Sequence, residues 1–156
     1  MRVGRILAVL LFIIYLAGLS YFLFFSSMLG RDTGEGVFYL EGLPLYGTLN
    51  LEPLRVIRIF ITNFSKIPFP IFFLNIFGNI ICFMPFGFLL PAATGGKLHF
   101  ISTVILGALC SAGFEALQYF TGVGAGDVDD IILNTIGTAI GYIIGARAVR
   151  KILITG

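Results

Sequence analysis

The chain has 156 residues, of which 58% are hydrophobic and 12% are charged, and its mean hydropathy is +1.01. A soluble domain carries about a quarter charged residues, so this composition excludes an ordinary soluble fold and indicates one integral membrane domain over residues 1–156. The net charge of +2 gives no indication of nucleic-acid binding, and with one histidine in the chain a histidine-based metal site or triad has no support.

The first predicted element is a membrane-spanning helix over residues 6–28, a run that contains no charged residue. At about 1.5 Å per residue such a helix covers roughly 35 Å, which is enough to cross the hydrocarbon core with some tilt. We interpret it as an uncleaved span rather than a signal peptide, because it is longer than an ordinary signal-peptide core and no small-residue cleavage site ends it.

The long polar region between residues 30 and 70 contains one predicted helix. Over residues 55–64, apolar residues alternate unevenly with Arg55 and Arg58, which favours a short amphipathic helix lying on the membrane surface. A loop whose arginines extend toward the headgroups explains the pattern equally well. Pro68 and Pro70 end the segment in either case.

Three further membrane-spanning helices are predicted, over residues 72–90, 100–120 and 131–149. Pro85 should kink the first of them, because proline removes a helix hydrogen bond. The connections are a tight turn at residues 91–97 and a glycine-rich acidic loop at residues 121–130. Cys82 and Cys110 fall inside spans, where we interpret them as small apolar fillers rather than as a disulfide or redox pair.

Small residues recur at helical spacing on the last two spans. They are three glycines on the fourth span and three alanines on the third: Gly137, Gly141 and Gly145, and Ala108, Ala112 and Ala116. Small residues allow helix backbones to approach closely in lipid, so we expect the third and fourth spans to pack against each other as an antiparallel hairpin.

Lysine and arginine predict which ends of the spans face the cytoplasm. The two termini and residues 91–97 carry six of the ten basic residues, whereas residues 121–130 carry none. Because basic residues concentrate in short cytoplasmic segments, we expect both termini in the cytoplasm and the polar region before the second span outside. The predicted fold is therefore an all-α integral membrane protein with four transmembrane helices.

Polar residues enter the second, third and fourth spans at their predicted outer ends, in pairs spaced three or four residues apart. Such spacing places the members of each pair on one helix face. We therefore predict an outward-facing polar pocket that binds a ligand, with an arginine able to close over its mouth. The expected residues are Asn75, Asn79, Glu115, Gln118, Asp127, Asp130, Asn134 and Arg55.

Simpler interpretations of these residues stay open. Asparagines also act as hydrogen-bonding links between helices, and Asp130 also suits the first turn of a helix. Glu115 is the hardest to explain in this way, because a carboxylate inside a span needs a proton, a cation or an arginine partner.

Several chemistries fit such a lining. Carboxylates with amide carbonyls can hold Mg²⁺ or Ca²⁺, although nothing in the sequence requires a cofactor. Glu115 and Asp127 are candidate catalytic residues, as an acid and base pair. Two arginines over the mouth suit a phosphate or carboxylate headgroup. No serine or cysteine nucleophile stands at a supporting spacing from a histidine, so nucleophilic acyl transfer has no support.

Four motifs in this order make the chain resemble the VanZ-like family of small bacterial membrane proteins. They are Asn50-Leu51-Glu52-Pro53-Leu54, the Asn75–Gly87 segment with Asn79 and Pro85, Glu115-x-x-Gln118, and Asp127-x-x-Asp130-x-x-x-Asn134-x-x-Gly137. In two places the chain departs from the family pattern. Leu54 replaces an aromatic residue, and a glycine, Gly126, precedes Asp127 where the family often has an Arg-Ser pair. A cationic partner for the acidic residues must then come from elsewhere, for example from Arg55.

The resemblance implies a multi-pass protein of the bacterial cytoplasmic membrane. The family takes its name from a protein that gives low-level resistance to the glycopeptide teicoplanin, so we expect an influence on glycopeptide susceptibility through a pocket that binds an envelope lipid, a glycopeptide or another amphiphilic ligand. The alternative is a membrane enzyme that acts on a cell-envelope lipid or precursor with Glu115 and Asp127. A third interpretation is an assembly partner whose polar residues only hold the helices together. The sequence does not decide whether the protein is an enzyme, nor its oligomeric state.

Overall fold

The computed structural model describes residues 2–32, 49–124 and 126–155, and within these ranges the chain is helical, with no β-strand. The side chains of residues 2, 3, 25–32, 71 and 147–155 lie outside the description. The elements in chain order are α1 (Arg2–Asp32), α2 (Arg55–Thr62), α3 (Phe69–Phe73), a π-helical turn (Leu74–Gly78), α4 (Asn79–Ala93), α5 (Phe100–Thr121) and α6 (Val128–Thr155). The segments from α3 to α4 follow one another without a break.

Four of these helices are long and apolar enough to cross a membrane. The qualifying segments are Gly4–Phe24, Leu74–Ala93, Phe100–Thr121 and Val128–Ala146. Helices are the expected solution for such runs, because lipid offers no hydrogen-bonding partner to backbone groups. The predicted all-α fold with four spans is confirmed, whereas the cytoplasmic location of the termini stays a prediction.

Two local predictions have different outcomes. The segment that begins at Arg55 is helical, as α2, although its position on the membrane surface stays a prediction. The second span continues through Pro85 and Pro91, and the kink at Pro85 also stays a prediction. The π-helical turn immediately before α4 was not anticipated. Such turns occur often at functional sites.

The glycine face of α6 packs against α4. A Cβ atom added at Gly137 or Gly141 would overlap the carbonyl groups of Ile80 or Met84, and one at Gly145 would approach Phe88. These partners advance in step along both helices, so α4 and α6 run parallel and in close backbone contact. The predicted antiparallel packing of the third and fourth spans is confirmed, because Gly107 of α5 lies against Thr138 of α6, but the glycine face of α6 meets α4 and not the alanines of the third span. The spacing of the glycines identified the close-packing face of α6 correctly, but it did not identify the neighbouring helix that this face contacts.

Helix α5 packs against α6 through a different set of small and hydroxyl residues. A Cβ atom added at Gly107 would overlap the side chain of Thr138, and one at Gly87 of α4 would overlap the backbone of that same threonine. Thr138 is fully buried at this junction, and its hydroxyl donates to the carbonyl of Asn134 at 3.0 Å. The three helices α4, α5 and α6 therefore meet closely around Thr138.

Helix α1 completes the bundle by packing on α4. Leu19 contributes to a buried cluster with Phe83 and Phe86. Near the middle of the helix, the hydroxyl of Tyr15 donates to the carbonyl of Cys82 at 2.7 Å. At the beginning of the helix, the Nε of Arg5 donates to the carbonyl of Ala93 at 3.1 Å. This contact places the start of α1 beside the end of α4.

The contact between α4 and α6 can be tested with a matched pair of glycine substitutions. We expect Gly141→Ala to lower the free energy of unfolding by about 1–3 kcal/mol, because the added methyl group must displace the backbone at Met84. Thermal unfolding of the detergent-purified protein measures this change. Gly113→Ala is the control, since a Cβ atom at this helical position meets nothing within 4 Å. Equal melting temperatures for the two variants would contradict the packing described.

Candidate functional site

Four acidic side chains gather at one end of the bundle, and we refer to them as the carboxylate cluster: Glu115, Asp127, Asp129 and Asp130. Glu115 comes from the last turns of α5, and the three aspartates come from the residue before α6 and its first turn. They lie close enough for Asp130 to be repelled electrostatically by each of the other three. This end of the bundle also contains the π-helical turn and the residues that lead into α2.

Asp129 binds the beginning of α2. Its Oδ1 accepts a hydrogen bond from the backbone N–H of Leu54 at 2.5 Å, and its Oδ2 accepts from Val56 at 2.7 Å and Ile57 at 3.1 Å. The first N–H groups of a helix lack partners within the helix, and the dipole there favours a negative charge. Asp129 is only 1% exposed. Leu54 adopts a left-handed conformation with φ of 64° as it enters α2.

Asn50 joins the segment before α2 to the loop before α6. Its backbone N–H donates to Gly126 at 2.8 Å, and its carbonyl accepts from Val128 at 3.1 Å, which forms a single parallel β-bridge. Its side-chain Nδ2 also donates to Oδ1 of Asp127 at 2.7 Å. The first motif of the sequence therefore contacts the last one directly, through both backbone and side chain.

Glu115 and Asp130 are held by partners on neighbouring segments. Oε2 of Glu115 accepts from the backbone N–H of Asp127 at 2.9 Å, and this carboxylate is buried. Oδ1 of Asp130 accepts from Nδ2 of Asn79 at 2.5 Å, and the same Nδ2 donates to the carbonyl of Asn75 at 3.1 Å. Asn79 thus links the end of the π-helical turn to the start of α6.

One helical turn deeper, a buried polar pair connects α5 with α6. Nδ2 of Asn134 donates to Oγ of Ser111 at 2.8 Å. The Oδ1 of Asn134 is buried and has no hydrogen-bond partner within the described part of the chain. Ser111 lies four residues before Glu115, and Asn134 lies four residues after Asp130, so the pair lies beneath these two carboxylates.

The structure brings together most of the residues that the sequence singled out. Glu115, Asp127, Asp130 and Asn79 meet at the cluster, and Asn134 lies below it. Gln118 points toward another helix, because its Nε2 donates to the carbonyl of Leu23 in α1 at 3.1 Å. A groove of about 410 Å³ lies along the beginning of α1, beside Arg5. The outward-facing pocket at the cluster stays a prediction.

Three contributors were missing from the predicted set: Asn50, Asp129 and Ser111. The sequence contains a signal for two of them, because Asn50 opens a motif and Asp129 stands between two selected aspartates. Their partners, however, lie more than 70 residues away along the chain. The only signal in the sequence for Ser111 is that it stands four residues before Glu115. Many serines in helices that have no role in a site stand at such a spacing from a polar residue.

Burial has a larger effect on the pKa of Asp127 than the positive charge of Arg55. Burial raises the pKa of the Asp127 carboxyl above its ordinary value, against hydrogen bonds from Asp129 and Asn50 that lower it. Arg55 also lowers this pKa, so the expected cationic partner acts on Asp127 through space. Within the described ranges the ion pair that forms is Arg58 with Glu52 at 2.7 Å, and both of its side chains are exposed.

Metal binding by the acidic residues alone is not supported. Among the residues that the structure describes, no group of three or more histidine, cysteine, aspartate or glutamate side chains is arranged to hold a metal ion. Any ion at the cluster would need oxygen ligands of another kind.

Comparisons with known proteins agree with the motifs. The family model described as VanZ/LLP1 matches residues 12–149. Protein VanZ from Enterococcus faecium is 33% identical over 69 residues, which are 44% of this chain and 42% of that protein. The match therefore spans less than half the length of this curated relative. No solved structure matches the chain.

The contact between Asp129 and α2 can be tested by an isosteric substitution. We expect Asp129→Asn to lower the free energy of unfolding by roughly 1.5–3 kcal/mol, because the amide brings N–H donors against the backbone N–H groups of α2. Hydrogen exchange at residues 55–62 should accelerate, and thermal unfolding in detergent gives the overall change. Glu52→Gln is the control, since its carboxylate is exposed. Unchanged protection of α2 in Asp129→Asn would contradict this assignment.

Proposed function

The chain belongs to the VanZ/LLP1 family and is a multi-pass bacterial membrane protein, and on that premise we propose that it lowers susceptibility to glycopeptides of the teicoplanin type. It does so by binding an amphiphilic envelope ligand at the carboxylate cluster. The observation that carries this proposal is the convergence of four carboxylates at one end of a membrane bundle, without an ion pair to any of them in the described residues.

Four carboxylates at the end of a membrane bundle are unfavourable in free energy, which indicates that they serve a function. Ionisable residues within membrane segments are rare and usually mark ligand, ion or proton sites. Hydrogen bonds to Asn50, Asn79 and the α2 backbone hold three of these carboxylates in place. A merely structural role would be served by fewer charges, because neutral side chains can also link helices.

The side of the membrane is part of the proposal. The contact between Arg5 and Ala93 places a basic residue at the end of the bundle where α4 ends, and Lys97 follows in the turn to α5. The carboxylate cluster lies at the opposite ends of α4 and α5. Since basic segments stay in the cytoplasm, the cluster faces outward, where glycopeptides and cell-wall precursors meet the membrane.

An amphiphile suits the surroundings of the cluster. Arg55 and Arg58 lie on α2, which Asp129 holds against the same end of the bundle. Positive and negative groups thus lie side by side at the mouth, while the flanking helices expose apolar residues to lipid. A ligand with a charged head and an apolar tail would contact both surfaces.

Conservative substitutions test the proposed function in cells. We expect Glu115→Gln and Asp127→Asn to reduce teicoplanin tolerance to the level of cells without the protein. Both variants keep one side-chain oxygen that can accept the observed hydrogen bonds, and they lose the negative charge because an NH₂ group replaces the other oxygen. The minimal inhibitory concentration is measured at matched protein levels in the membrane, with Glu52→Gln as the control. Tolerance equal to that of the unmodified protein in both variants would contradict the proposal.

The same strains separate binding from catalysis. An enzyme that uses Glu115 and Asp127 would change the profile of envelope lipids when the protein is overproduced, and both variants would reverse that change. We expect an unchanged profile, because the proposal assigns these carboxylates, which backbone N–H groups hold in fixed positions, to ligand binding and not to a reaction. A lipid product that depends on both residues would favour the enzymatic alternative.

The orientation is tested by thiol labelling in intact cells. With Cys82 and Cys110 replaced by alanine, a cysteine at Thr121 should react with a membrane-impermeant reagent, whereas a cysteine at His99 should react only after lysis. Both positions are exposed and lie at opposite ends of α5. The reverse pattern would place the carboxylate cluster on the cytoplasmic side and remove the basis for a glycopeptide role.

A further inference from the structure

The buried oxygen of Asn134 is the feature of this bundle that its own contacts do not explain. Asn134 is 4% exposed, and its Nδ2 is used by Ser111. Its Oδ1, which carries two lone pairs, accepts no hydrogen bond from the described residues. Buried polar atoms almost always have partners, so an orphan acceptor indicates a ligand, an ion or water.

The position of this oxygen relates it to two carboxylates. Side chains on an α-helix lean toward its N-terminus, so the amide of Asn134 leans toward the turn that contains Asp130. Its partner Ser111 lies on α5 one turn before Glu115. The amide is therefore bracketed by Asp130 on its own helix and by Glu115 on the neighbouring one.

No basic side chain in the described part of the chain forms an ion pair with Glu115 or Asp130. Glu115 and Asp130 repel each other, and Asp130 is also repelled by Asp127 and Asp129. One hydrogen bond from Asn79 and one from the backbone of Asp127 leave further oxygen lone pairs on both groups.

We propose that Glu115, Asp130 and the Oδ1 of Asn134 together bind one divalent cation of the Mg²⁺ or Ca²⁺ class. Two carboxylates match the charge of such an ion, and a neutral amide oxygen is an ordinary third ligand. Both ions accept water in their remaining positions, so a site with only two carboxylates suffices. The site needs only two acidic ligands, which agrees with the absence of a group of three acidic, histidine or cysteine ligands among the described residues.

The proposed cation site rests on the proposed function only in that both use the carboxylate cluster. A bound cation would neutralise the inner part of the cluster and leave Asp127 toward the mouth. The test below contains no glycopeptide, so cation binding and teicoplanin tolerance can fail independently.

The experiment is a cation titration of the full chain in a neutral detergent after treatment with a chelator. Thermal unfolding is followed while MgCl₂ or CaCl₂ replaces KCl at constant ionic strength. We expect a saturable rise in melting temperature with at least one of the two ions, because a ligand that binds only the folded state stabilises it. Asp130→Asn should weaken the apparent affinity at least tenfold, and Glu52→Gln should leave it unchanged.

Asn134→Asp distinguishes a cation from a reversed amide. If Oδ1 faces a cation, the added carboxylate preserves an oxygen ligand and the affinity holds or rises. If the amide is reversed so that its NH₂ group donates to the carboxylates, the aspartate adds repulsion, and the variant loses stability without gaining any response to Mg²⁺ or Ca²⁺. That second result would overturn the proposal.

Two other outcomes would also overturn it. One is a melting temperature that responds to acidification but not to either cation, which would assign a proton to the site. The other is the same cation response in Asp130→Asn as in the unmodified protein. If Asp130→Asn does not fold, Glu115→Gln replaces it, because its side chain retains the oxygen that accepts from Asp127. Binding of radioactive Ca²⁺ to the purified variants gives a readout that does not depend on unfolding.

Discussion

A carboxylate buried at the end of a membrane bundle must be surrounded by hydrogen-bond donors, and Asp129 meets this requirement with the backbone of α2. Three N–H groups at the start of that helix donate to its two oxygens. The first N–H groups of α2 have no hydrogen-bond acceptor within the helix, and the buried carboxylate has no contact with water. Each therefore supplies the hydrogen-bond partner that the other lacks. The segment before α2 is further joined to the loop before α6 by the bridge at Asn50. The polar end of the bundle is therefore one connected structure.

This connection determines how the remaining carboxylates are arranged. Because Asp127 is held by Asn50, its backbone N–H is directed at Glu115 of α5. Asp130 faces α4 and is held by Asn79. These three contacts come from the segment before α2, from α5 and from α4, and they converge at the start of α6. The close packing of α4 on α6 at Gly137 and Gly141 supports this convergence, because it brings Asn79 and Asp130 within hydrogen-bond distance.

Hydropathy and spacing predict a large part of this structure. Four long apolar runs identified the four spans, since length and composition decide whether a helix can cross a membrane. Pairs spaced three or four residues apart placed Glu115, Asp130 and Asn134 correctly at one end of the bundle. Spacing does not reveal which neighbour a helix face meets, so the glycine face of α6 was assigned to α5 when it packs on α4. It also does not reveal contacts between distant segments, which is why the role of Asp129 and the direction of Gln118 required the structure.

The central claim is that α2 is fixed to the start of α6 at the carboxylate cluster, and a distance measurement tests it most directly. Spin labels at Ile61 on α2 and Ile136 on α6 occupy exposed positions on the two helices. Pulsed electron paramagnetic resonance in lipid nanodiscs, with Cys82 and Cys110 replaced by alanine, then reports the distribution of distances between them. The account predicts one narrow peak at the separation seen in the structure. A broad distribution, or several peaks, would show that α2 moves independently of the bundle and would contradict it.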